Sequence, residues 1–396
     1  MVLAGGEGKR LLPLTQNRAK PAVPIGGKYR IIDVVLSNFL NSFFEEACVL
    51  TQYEGTSLDA HIHDSWKSMT GRKGNSMNVV PIPAAKKGGW YEGTADAVYD
   101  NLRLIRRKSP RLVAVFNGDH IYKMDIRQMI TQHDSEGADL TIASVPMDVE
   151  SARNTFGVIE INEDGKFVSF EEKPSEPKCI PGKPGICLVS MGNYIFDRRA
   201  LEKELSQPMI DLAKDLIPAM VENSRNISVY DFSTNSPEDI KPEEKGYWLD
   251  LGTLDAFYAA NMDLRATNPR FSLYDGWVRT GNIYVPPAKF VHNGSGRTGE
   301  ALESLVCDGC VISGGSVKRS VLSPRVRVNS YSSVENSVLF DSVNIARYAK
   351  IRNAILDENV SIPERVEVGY DAALDRKRGC IVTDSGITIV SSNVVF

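Results

Sequence analysis

The sequence predicts an α/β fold with a mostly parallel sheet, followed by a left-handed parallel β-helix. Residues 1 to about 270 alternate buried strand-like runs with helical patterns, which indicates a sheet with helices on both faces. Beyond residue 300, apolar residues recur at near-hexapeptide steps, as at Val311 and Val317 or Ile345 and Ile351. We therefore expect a Rossmann-like domain at 1–270, a linker at 271–299 and a β-helix at 300–396.

The first domain contains four clear strand candidates and one clear helix candidate. The predicted strands are Ala47–Thr51, Leu112–Phe116, Leu140–Ser144 and Gly192–Phe196, and the predicted helix runs from Ala95 to Arg107. In sheets of this class, ligands bind beyond the carboxyl ends of the strands. The residues that directly follow strands are therefore the first candidates for a binding site.

Composition limits the classes of function. The chain has 396 residues, 42% of them hydrophobic, and a net charge of -4, which gives no general attraction to nucleic acid or to an anionic membrane. No apolar run approaches the roughly 18 residues of a membrane span, and no secretory signal is recognisable. We expect a cytoplasmic protein. Cys307 and Cys310 form a CxxC without a second pair, which does not favour a metal or redox site.

A glycine-rich loop follows the first short apolar run. Glycines at positions 5, 6 and 8 allow close approach of backbone N–H groups to a ligand, and Arg10 and Lys20 follow as fixed cations. The loop is not a P-loop, because Lys9 is followed by an arginine, and it is not the dinucleotide fingerprint, because Leu11 replaces the last glycine. Glycines ringed by cations suit a polyphosphate.

Three further segments have alternative interpretations from the residues alone. Asp119, at the end of a buried strand, suits either Mg²⁺ or a helix N-cap. Glu172 and Lys173 could be a solvated charge pair. We expect Trp90 in the core, and Tyr91 either in the core or in a binding pocket.

The complete strings resemble the sugar-nucleotide pyrophosphorylases over nearly the whole chain. The resemblance rests on Leu-Ala-Gly-Gly-x-Gly-x-Arg-Leu from Leu3, Arg-Ala-Lys-Pro-Ala from Arg18 and Gly-Gly-Lys-x-Arg-Ile-Ile-Asp from Gly26. The string Trp-Tyr-x-Gly-Thr-Ala-Asp-Ala from Trp90 is most similar to members that use ATP and glucose 1-phosphate. The resemblance implies a nucleotidyltransferase domain that releases pyrophosphate.

The resemblance also implies site residues. Asp119 of Gly-Asp-His and Asp250 of Trp-x-Asp-x-Gly-Thr would share a catalytic Mg²⁺, while Arg10 and Lys20 would hold the leaving pyrophosphate. The nucleotide would contact Leu3, Ala4, Gly5, Gly6, Gly8, Gln52, Gly93 and Thr94. Glucose 1-phosphate would contact Tyr91, Gly157, Glu172, Lys173 and Ser190.

Regulation and assembly are implied by the same resemblance. Arg18, Arg30, Arg107 and Arg347 fall on strings that bind phosphorylated metabolite effectors in relatives, and a homotetramer is expected. Asn17 departs from the pattern, since a lysine that binds the activator often stands there. The usual response to sugar bisphosphates is therefore in doubt.

Other functions remain open from the sequence. The same chemistry could use UTP, dTTP or GTP, because no named residue excludes them on physical grounds. A non-catalytic regulatory subunit is disfavoured because the Gly-Asp-His and Glu-Lys-Pro strings are intact. A β-helix acyltransferase would need a histidine within the repeat, whereas His292 precedes it.

Overall fold

The computed structural model describes residues 1–67, 69–71, 73–84, 90–281, 285–292 and 296–396. The chain forms two compact units. The first contains Met1–Gly6 and Val35–Leu249, and the second contains Glu7–Val34 and Asp250–Phe396. Within the predicted linker, residues 282–284 and 293–295 lie outside the described residues. The linker and domain boundaries stay predictions.

The first unit is built on a sheet with eleven strands among the described residues. At its centre, Val2–Ala4 lies parallel to Glu46–Thr51 on one side and to Leu112–Asn117 on the other. The remaining strands are Met69–Thr70, Ser76–Pro83, Leu140–Asp148, Gly157–Ile161, Phe167–Glu172, Cys179–Ile180, Lys183–Asp197 and Ile227–Asp231. All four predicted strands lie within or coincide with observed ones.

The sheet is parallel at its centre, and one long strand introduces antiparallel pairs. The long strand Lys183–Asp197 runs antiparallel to Leu112–Asn117, Leu140–Asp148 and Gly157–Ile161. Strands that are buried on both faces have continuous apolar runs in either orientation, so the sequence pattern did not reveal this reversal. The predicted α/β architecture is confirmed, and the sheet is more mixed than expected.

Helices cover the sheet of the first unit. They are Gly55–Trp66, Thr94–Asp100, Leu102–Lys108, Ile126–Glu136, Val149–Ala152, Arg198–Glu204 and Ile217–Glu222, with short turns at Leu212–Leu216, Phe232–Thr234 and Pro242–Glu244. The helix Ile31–Asn41 crosses from the second unit into the first at Val35. Across the described residues, no helix combines the length and the apolar character that a membrane crossing requires.

The predicted single helix Ala95–Arg107 is wrong, because two helices meet at Asn101. The Asn101 side chain donates to the carbonyl of Ala97 at 2.9 Å and to the hydroxyl of Tyr91 at 3.1 Å. An asparagine that bonds to nearby backbone competes with the regular helical pattern. The apolar face is continuous across the break, since Val98, Leu102 and Ile105 are all buried.

The second unit begins at Glu7, within the glycine-rich segment. This segment forms short helical turns at Lys9–Leu11 and Lys20–Ala22 and a small hairpin of Pro24–Ile25 with Tyr29–Arg30. Gly26 is held from both sides: its N–H donates to Asn261 of helix Leu254–Leu264 at 3.0 Å, and its carbonyl accepts from the Tyr274 hydroxyl at 2.5 Å. These contacts attach the segment to the C-terminal part of the chain.

The rest of the second unit is a β-helix of short parallel strands. On one face, Val311 pairs with Arg327, Arg327 with Asn344 and Asn344 with Ser361, so a coil takes 16 or 17 residues. The strands are Lys289–Val291, Glu300–Leu302, Leu305–Val306, Val311–Ser313, Ser316–Lys318, Val321–Leu322, Arg327–Val328, Ser333–Leu339, Asn344–Ile345, Lys350–Leu356, Ser361–Ile362, Glu367–Val368, Ile381–Val382 and Thr388–Val390, with helix Ala372–Lys377. The predicted β-helix is confirmed, and its core is a column of buried aliphatic residues.

The coils turn at residues with positive φ. Three sets recur at 17-residue steps: Arg319, Asn336 and Asn353; Arg325, Ser342 and Asn359; and Tyr331, Tyr348 and Arg365. Their φ values lie between 45° and 65°, a region that favours Gly and Asn. Arginine and tyrosine at such corners gave no turn signal in the sequence.

A fully buried ion pair lies in the first unit close to the Asp119 segment. Lys123 Nζ lies 3.0 Å from Glu244 Oε2, and the two side chains are 1% and 0% exposed. Glu244 also accepts from the N–H of Lys241 at 3.3 Å. Because charges are costly to bury alone, each member stabilises the burial of the other.

We therefore expect Glu244→Gln to lower the free energy of unfolding by about 3–5 kcal/mol, since it removes the carboxylate charge that faces the buried Lys123 ammonium at 3.0 Å. The measurement is urea denaturation followed by circular dichroism. Glu238→Gln is the control, because its pair with Lys73 is exposed at 51% and 62% and such pairs contribute about 0–1 kcal/mol. Equal losses in the two variants would contradict this expectation.

Candidate active site

In the first unit, three predicted site segments follow three adjacent parallel strands. Gly5 follows Val2–Ala4, Gln52 follows Glu46–Thr51, and Asp119 follows Leu112–Asn117 after one residue. The N–H of Gly118 donates to the carbonyl of Leu3 at 2.9 Å, which joins the first and third segments. Parallel strands place their carboxyl ends at one edge, so the three segments lie at the edge where the sequence predicts a binding crevice.

Gln52 organises the part of this edge next to Gly5. Its side-chain oxygen accepts from the N–H of Tyr91 at 2.7 Å, and its amide donates to the Tyr91 carbonyl at 3.4 Å. A Cβ atom on Gly5 would lie 3.2 Å from the Cβ of Gln52. The structure thus brings together three residues that the sequence predicted from separate strings.

The segment after Tyr91 is fixed by hydrogen bonds to residues 210–212. The Thr94 hydroxyl accepts from the N–H of Leu212 at 2.9 Å and lies 3.3 Å from Asp211 Oδ2, and the N–H of Ala95 donates to the Ile210 carbonyl. Tyr91 is 8% exposed. Trp90 is 48% exposed, so its expected core position is wrong. It packs instead on the ring of Tyr53, at 5.9 Å between centroids.

Asp119 is a partly exposed carboxylate, with 28% of its side chain accessible. It does not cap a helix, since Asp125 caps the following helix Ile126–Glu136. His120 Nε2 lies 3.5 Å from Asp119 Oδ1, and the His120 ring packs edge-on against Trp248 at 5.1 Å. Asp119 therefore presents oxygen donors, which hard divalent cations prefer.

The backbone after Asp119 is held by Asn38. Its side-chain amide donates to the Tyr122 carbonyl at 3.0 Å, and its oxygen accepts from the N–H of Met124 at 3.0 Å. Together with the Lys123–Glu244 pair, Asn38 fixes the segment that carries Asp119. Sequence reasoning missed these supporting residues, although a lysine within the otherwise apolar Ile-Tyr-Lys-Met run was a possible signal.

Four of the five predicted sugar-phosphate residues, all except Tyr91, lie on or directly after neighbouring strands of the first unit. Gly157 pairs with Glu172 across an antiparallel ladder, and a Cβ atom on Gly157 would lie 2.8 Å from Glu172 Oε2 and 2.4 Å from the Phe170 ring. Val158, the residue after Gly157, pairs with Val189, which precedes Ser190. Lys173 Nζ lies 3.5 Å from Glu172 Oε1, with 56% of the Lys173 side chain exposed.

In the second unit, the two predicted pyrophosphate cations converge on Asp250. Lys20 Nζ lies 2.9 Å from Asp250 Oδ1, and Arg10 Nη2 lies 3.8 Å from Asp250 Oδ2. The side chains of Lys20 and Asp250 are 9% and 13% exposed, whereas that of Arg10 is 64% exposed. Gly8 has φ 63°, and a Cβ atom there would lie 2.9 Å from the Cβ of Lys20, so this turn requires glycine.

The four arginines predicted to bind effectors have different surroundings. In the second unit, Arg18 is paired with Asp357 and Glu358, while Arg30 donates to the Ala22 carbonyl at 3.2 Å. Burial lowers the pKa of the Arg30 guanidinium from its usual value. Arg347 is exposed on the β-helix, and Arg107 is exposed on a helix of the first unit. The positive charge of Arg18 also acts to lower the pKa of Arg30.

The CxxC cysteines are buried thiols. Burial raises the pKa of Cys307 to about 11 and that of Cys310 to about 12. At neutral pH both are therefore protonated, which disfavours nucleophilic or metal-binding thiolate chemistry.

Two known families match successive parts of the chain. Residues 1–267 match the family described as nucleotidyl transferase, and residues 286–390 match the one described as GlmU-like, C-terminal hexapeptide. The first match covers more than half of the chain, so the chain belongs to the nucleotidyl transferase family. Members of this family typically use a divalent metal.

Full-length relatives narrow the class. The chain is 48% identical to a protein of Anaeromyxobacter sp. (strain Fw109-5), over 98% of this chain and 97% of that one. It is 49% identical to a protein of Thermus thermophilus and 44% identical to one of Deinococcus radiodurans, in both cases over 100% of this chain and 98% of the relative. All three are named glucose-1-phosphate adenylyltransferase, and the chain belongs to that group within the family. The resemblance predicted from the sequence is confirmed.

Proposed function

We propose that this chain transfers the adenylyl group of ATP to glucose 1-phosphate, forming ADP-glucose and pyrophosphate, with Arg10, Lys20, Asp119, Asp250 and Lys173 as its principal site residues. The convergence of Lys20 and Arg10 on Asp250 is the observation that best supports these assignments. Two fixed cations at a glycine turn suit a leaving polyphosphate. The full-length likeness to proteins named glucose-1-phosphate adenylyltransferase supports the substrates. The product would supply α-glucan synthesis, a role that the resemblance implies.

In the proposed reaction, a phosphate oxygen of glucose 1-phosphate attacks the α-phosphorus of ATP. A new P–O bond forms while the bond from the α-phosphorus to the β-phosphate oxygen breaks, and pyrophosphate leaves with the electron pair. Reactions of this kind depend on positioning and on neutralising charge. The nucleophile is already an anion, so no general base is needed.

The resemblance assigns Asp119 and Asp250 to Mg²⁺, and the donor chemistry fits, because both are partly exposed carboxylates. When bound, Mg²⁺ would neutralise phosphate charge. Lys20 and Arg10 would hold the pyrophosphate oxygens through charge-assisted hydrogen bonds. The N–H groups around Gly5 and Gly6 would contribute further donors to the nucleotide.

The sugar phosphate would be held by the strand pair that carries Gly157 and Glu172. Lys173 is a flexible, exposed cation suited to a phosphate monoester, and Glu172 would accept hydrogen bonds from sugar hydroxyls. Because Gly157 has no side chain, the Phe170 ring and the Glu172 carboxylate can lie close to its backbone. Ser190 is 8% exposed and accepts from the N–H of Gly192, which helps to fix its hydroxyl.

Wild-type protein with Mg²⁺ and glucose 1-phosphate should release pyrophosphate fastest with ATP, when ATP, UTP, dTTP and GTP are compared in parallel.

Asp119→Asn should lower kcat about 100-fold or more, because a site that stabilises transferring charge loses an anionic metal ligand. Asp164→Asn, an exposed turn residue, is the control and should be unaffected.

Two other outcomes of this assay have distinct meanings. Preference for another nucleotide would keep the chemistry and overturn the choice of ATP. Absence of pyrophosphate release with every nucleotide, from folded protein, would support the non-catalytic regulatory subunit instead.

Lys173→Ala should raise KM for glucose 1-phosphate about 10- to 100-fold and leave KM for ATP nearly unchanged, since a charge-assisted contact to phosphate contributes about 1.5–3 kcal/mol. Lys178→Ala is a close control, because Lys178 is also exposed and paired with a glutamate, Glu160, at 2.8 Å. Steady-state kinetics with each substrate varied separately measure both constants. A similar change in the two variants would argue against a specific role for Lys173.

Effector binding and assembly as a homotetramer also belong to this proposal. Arg30 and Arg347 are the residues to change, since Arg18 is already paired with two carboxylates. Activation by a panel of sugar phosphates should fall at least several-fold when both are replaced by Ala, because an anion site loses two cations. Arg327→Ala, an exposed cation of the same β-helix, should respond normally, and an unchanged response in the double variant would contradict the effector assignment. Sedimentation of the wild type would check the tetramer.

A further inference from the structure

A buried ion cluster joins the N-terminal loop to the β-helix within the second unit. Arg18 Nη1 lies 2.7 Å from Asp357 Oδ1, and Arg18 Nη2 lies 3.2 Å from Glu358 Oε2. The Arg18 and Asp357 side chains are 10% and 9% exposed, so solvent screens this pair little. The partners are separated by 339 residues in sequence.

The Asp357 carboxylate is itself held in place. Asp357 follows the strand Lys350–Leu356 directly, and its N–H donates to the Val390 carbonyl at 2.9 Å. Its Oδ1 atom also accepts from the N–H of Glu358 at 2.8 Å. Asp357 thus belongs to the regular hydrogen bonding of a β-helix corner and offers Arg18 a fixed anchor.

Arg18 lies on the same loop as the two cations proposed to hold pyrophosphate. Lys20 is two residues further along, and the turn at Gly8 packs directly against the Lys20 side chain. The Thr15 hydroxyl donates to the Gly8 carbonyl at 3.0 Å, and Leu11 and Leu14 are almost fully buried. Residues 8–20 therefore form one packed piece, whose position depends on where Arg18 is held.

We infer that Asp357 is a positioning residue for the phosphate-binding loop: through Arg18 it sets the places of Lys20 and Arg10. The inference rests on the proposed function of those two cations. It assigns the β-helix a part in the catalytic step, carried by a carboxylate that contacts no substrate. A misplacement of about 1 Å in such a group can cost about 100-fold in rate.

A positioning role makes a selective prediction that a purely structural role does not. Only the groups that hold the pyrophosphate part of ATP depend on this loop, whereas the proposed glucose 1-phosphate residues lie on other strands. Loss of the Asp357 charge should therefore weaken the binding of ATP and of pyrophosphate, and leave KM for glucose 1-phosphate unchanged.

The experiment compares the full-length wild type with Asp357→Asn and Glu358→Gln. KM is measured for each substrate, and calorimetry measures pyrophosphate binding with Mg²⁺ present. Asp357→Asn should raise KM for ATP and Kd for pyrophosphate about 10- to 100-fold, and Glu358→Gln should act in the same direction but more weakly, because Glu358 is 27% exposed. Asp341→Asn is the control, since Asp341 pairs with the exposed Arg325 of the same β-helix.

The outcomes separate this inference from the proposed function. Wild type that neither releases nor binds pyrophosphate would reject the proposed function and, with it, the loop assignment. Active wild type with Asp357→Asn indistinguishable from Asp341→Asn would overturn the inference alone. An equal rise in both KM values would also overturn it. So would the combination of two results: Asp357→Asn loses thermal stability, and Glu358→Gln folds and binds ATP normally.

Discussion

The ion pair between Lys20 and Asp250 is the interaction on which the proposed phosphate-binding region of the second unit depends. The two residues are 230 positions apart, and both side chains are largely buried. Burying either charge alone would be costly, so the N-terminal loop and the segment that begins at Asp250 stabilise each other's positions. Arg10, 3.8 Å from the same carboxylate and mostly exposed, adds a weaker interaction that solvent screens more strongly.

The architecture was largely predictable because it follows from periodicity. Buried runs such as Leu112–Asn117 and the apolar column of the β-helix are direct consequences of which faces meet water. The break at Asn101 and the antiparallel path of Lys183–Asp197 were not predictable, because they depend on one side chain's partners and on non-local pairing. The corners at Arg325 or Tyr331 are likewise set by the stacking of coils, which overrides local preference.

The site was predictable to a different degree. Local chemistry alone pointed to Arg10 and Lys20, because glycines next to cations suit phosphate, whereas Asp119 by itself suited a helix N-cap as well as Mg²⁺. Gly157, Glu172 and Ser190 came only from resemblance, and the structure explains why: the ladder joining Gly157 to Glu172 is non-local. Asp357 gave no signal at all, since its partner Arg18 is at the other end of the chain.

The rate of a reaction whose nucleophile is already an anion depends strongly on ion pairs. No side chain has to gain or lose a proton, so the rate depends on where fixed charges are held and how well water is excluded. This explains why a carboxylate on the β-helix can matter to chemistry it does not touch. Arg18 is held by Asp357 at a coil corner of the β-helix, and this contact fixes the position of the loop that carries Lys20. The β-helix therefore contributes to the proposed site by fixing where a cation stands, which is the property that this reaction requires most.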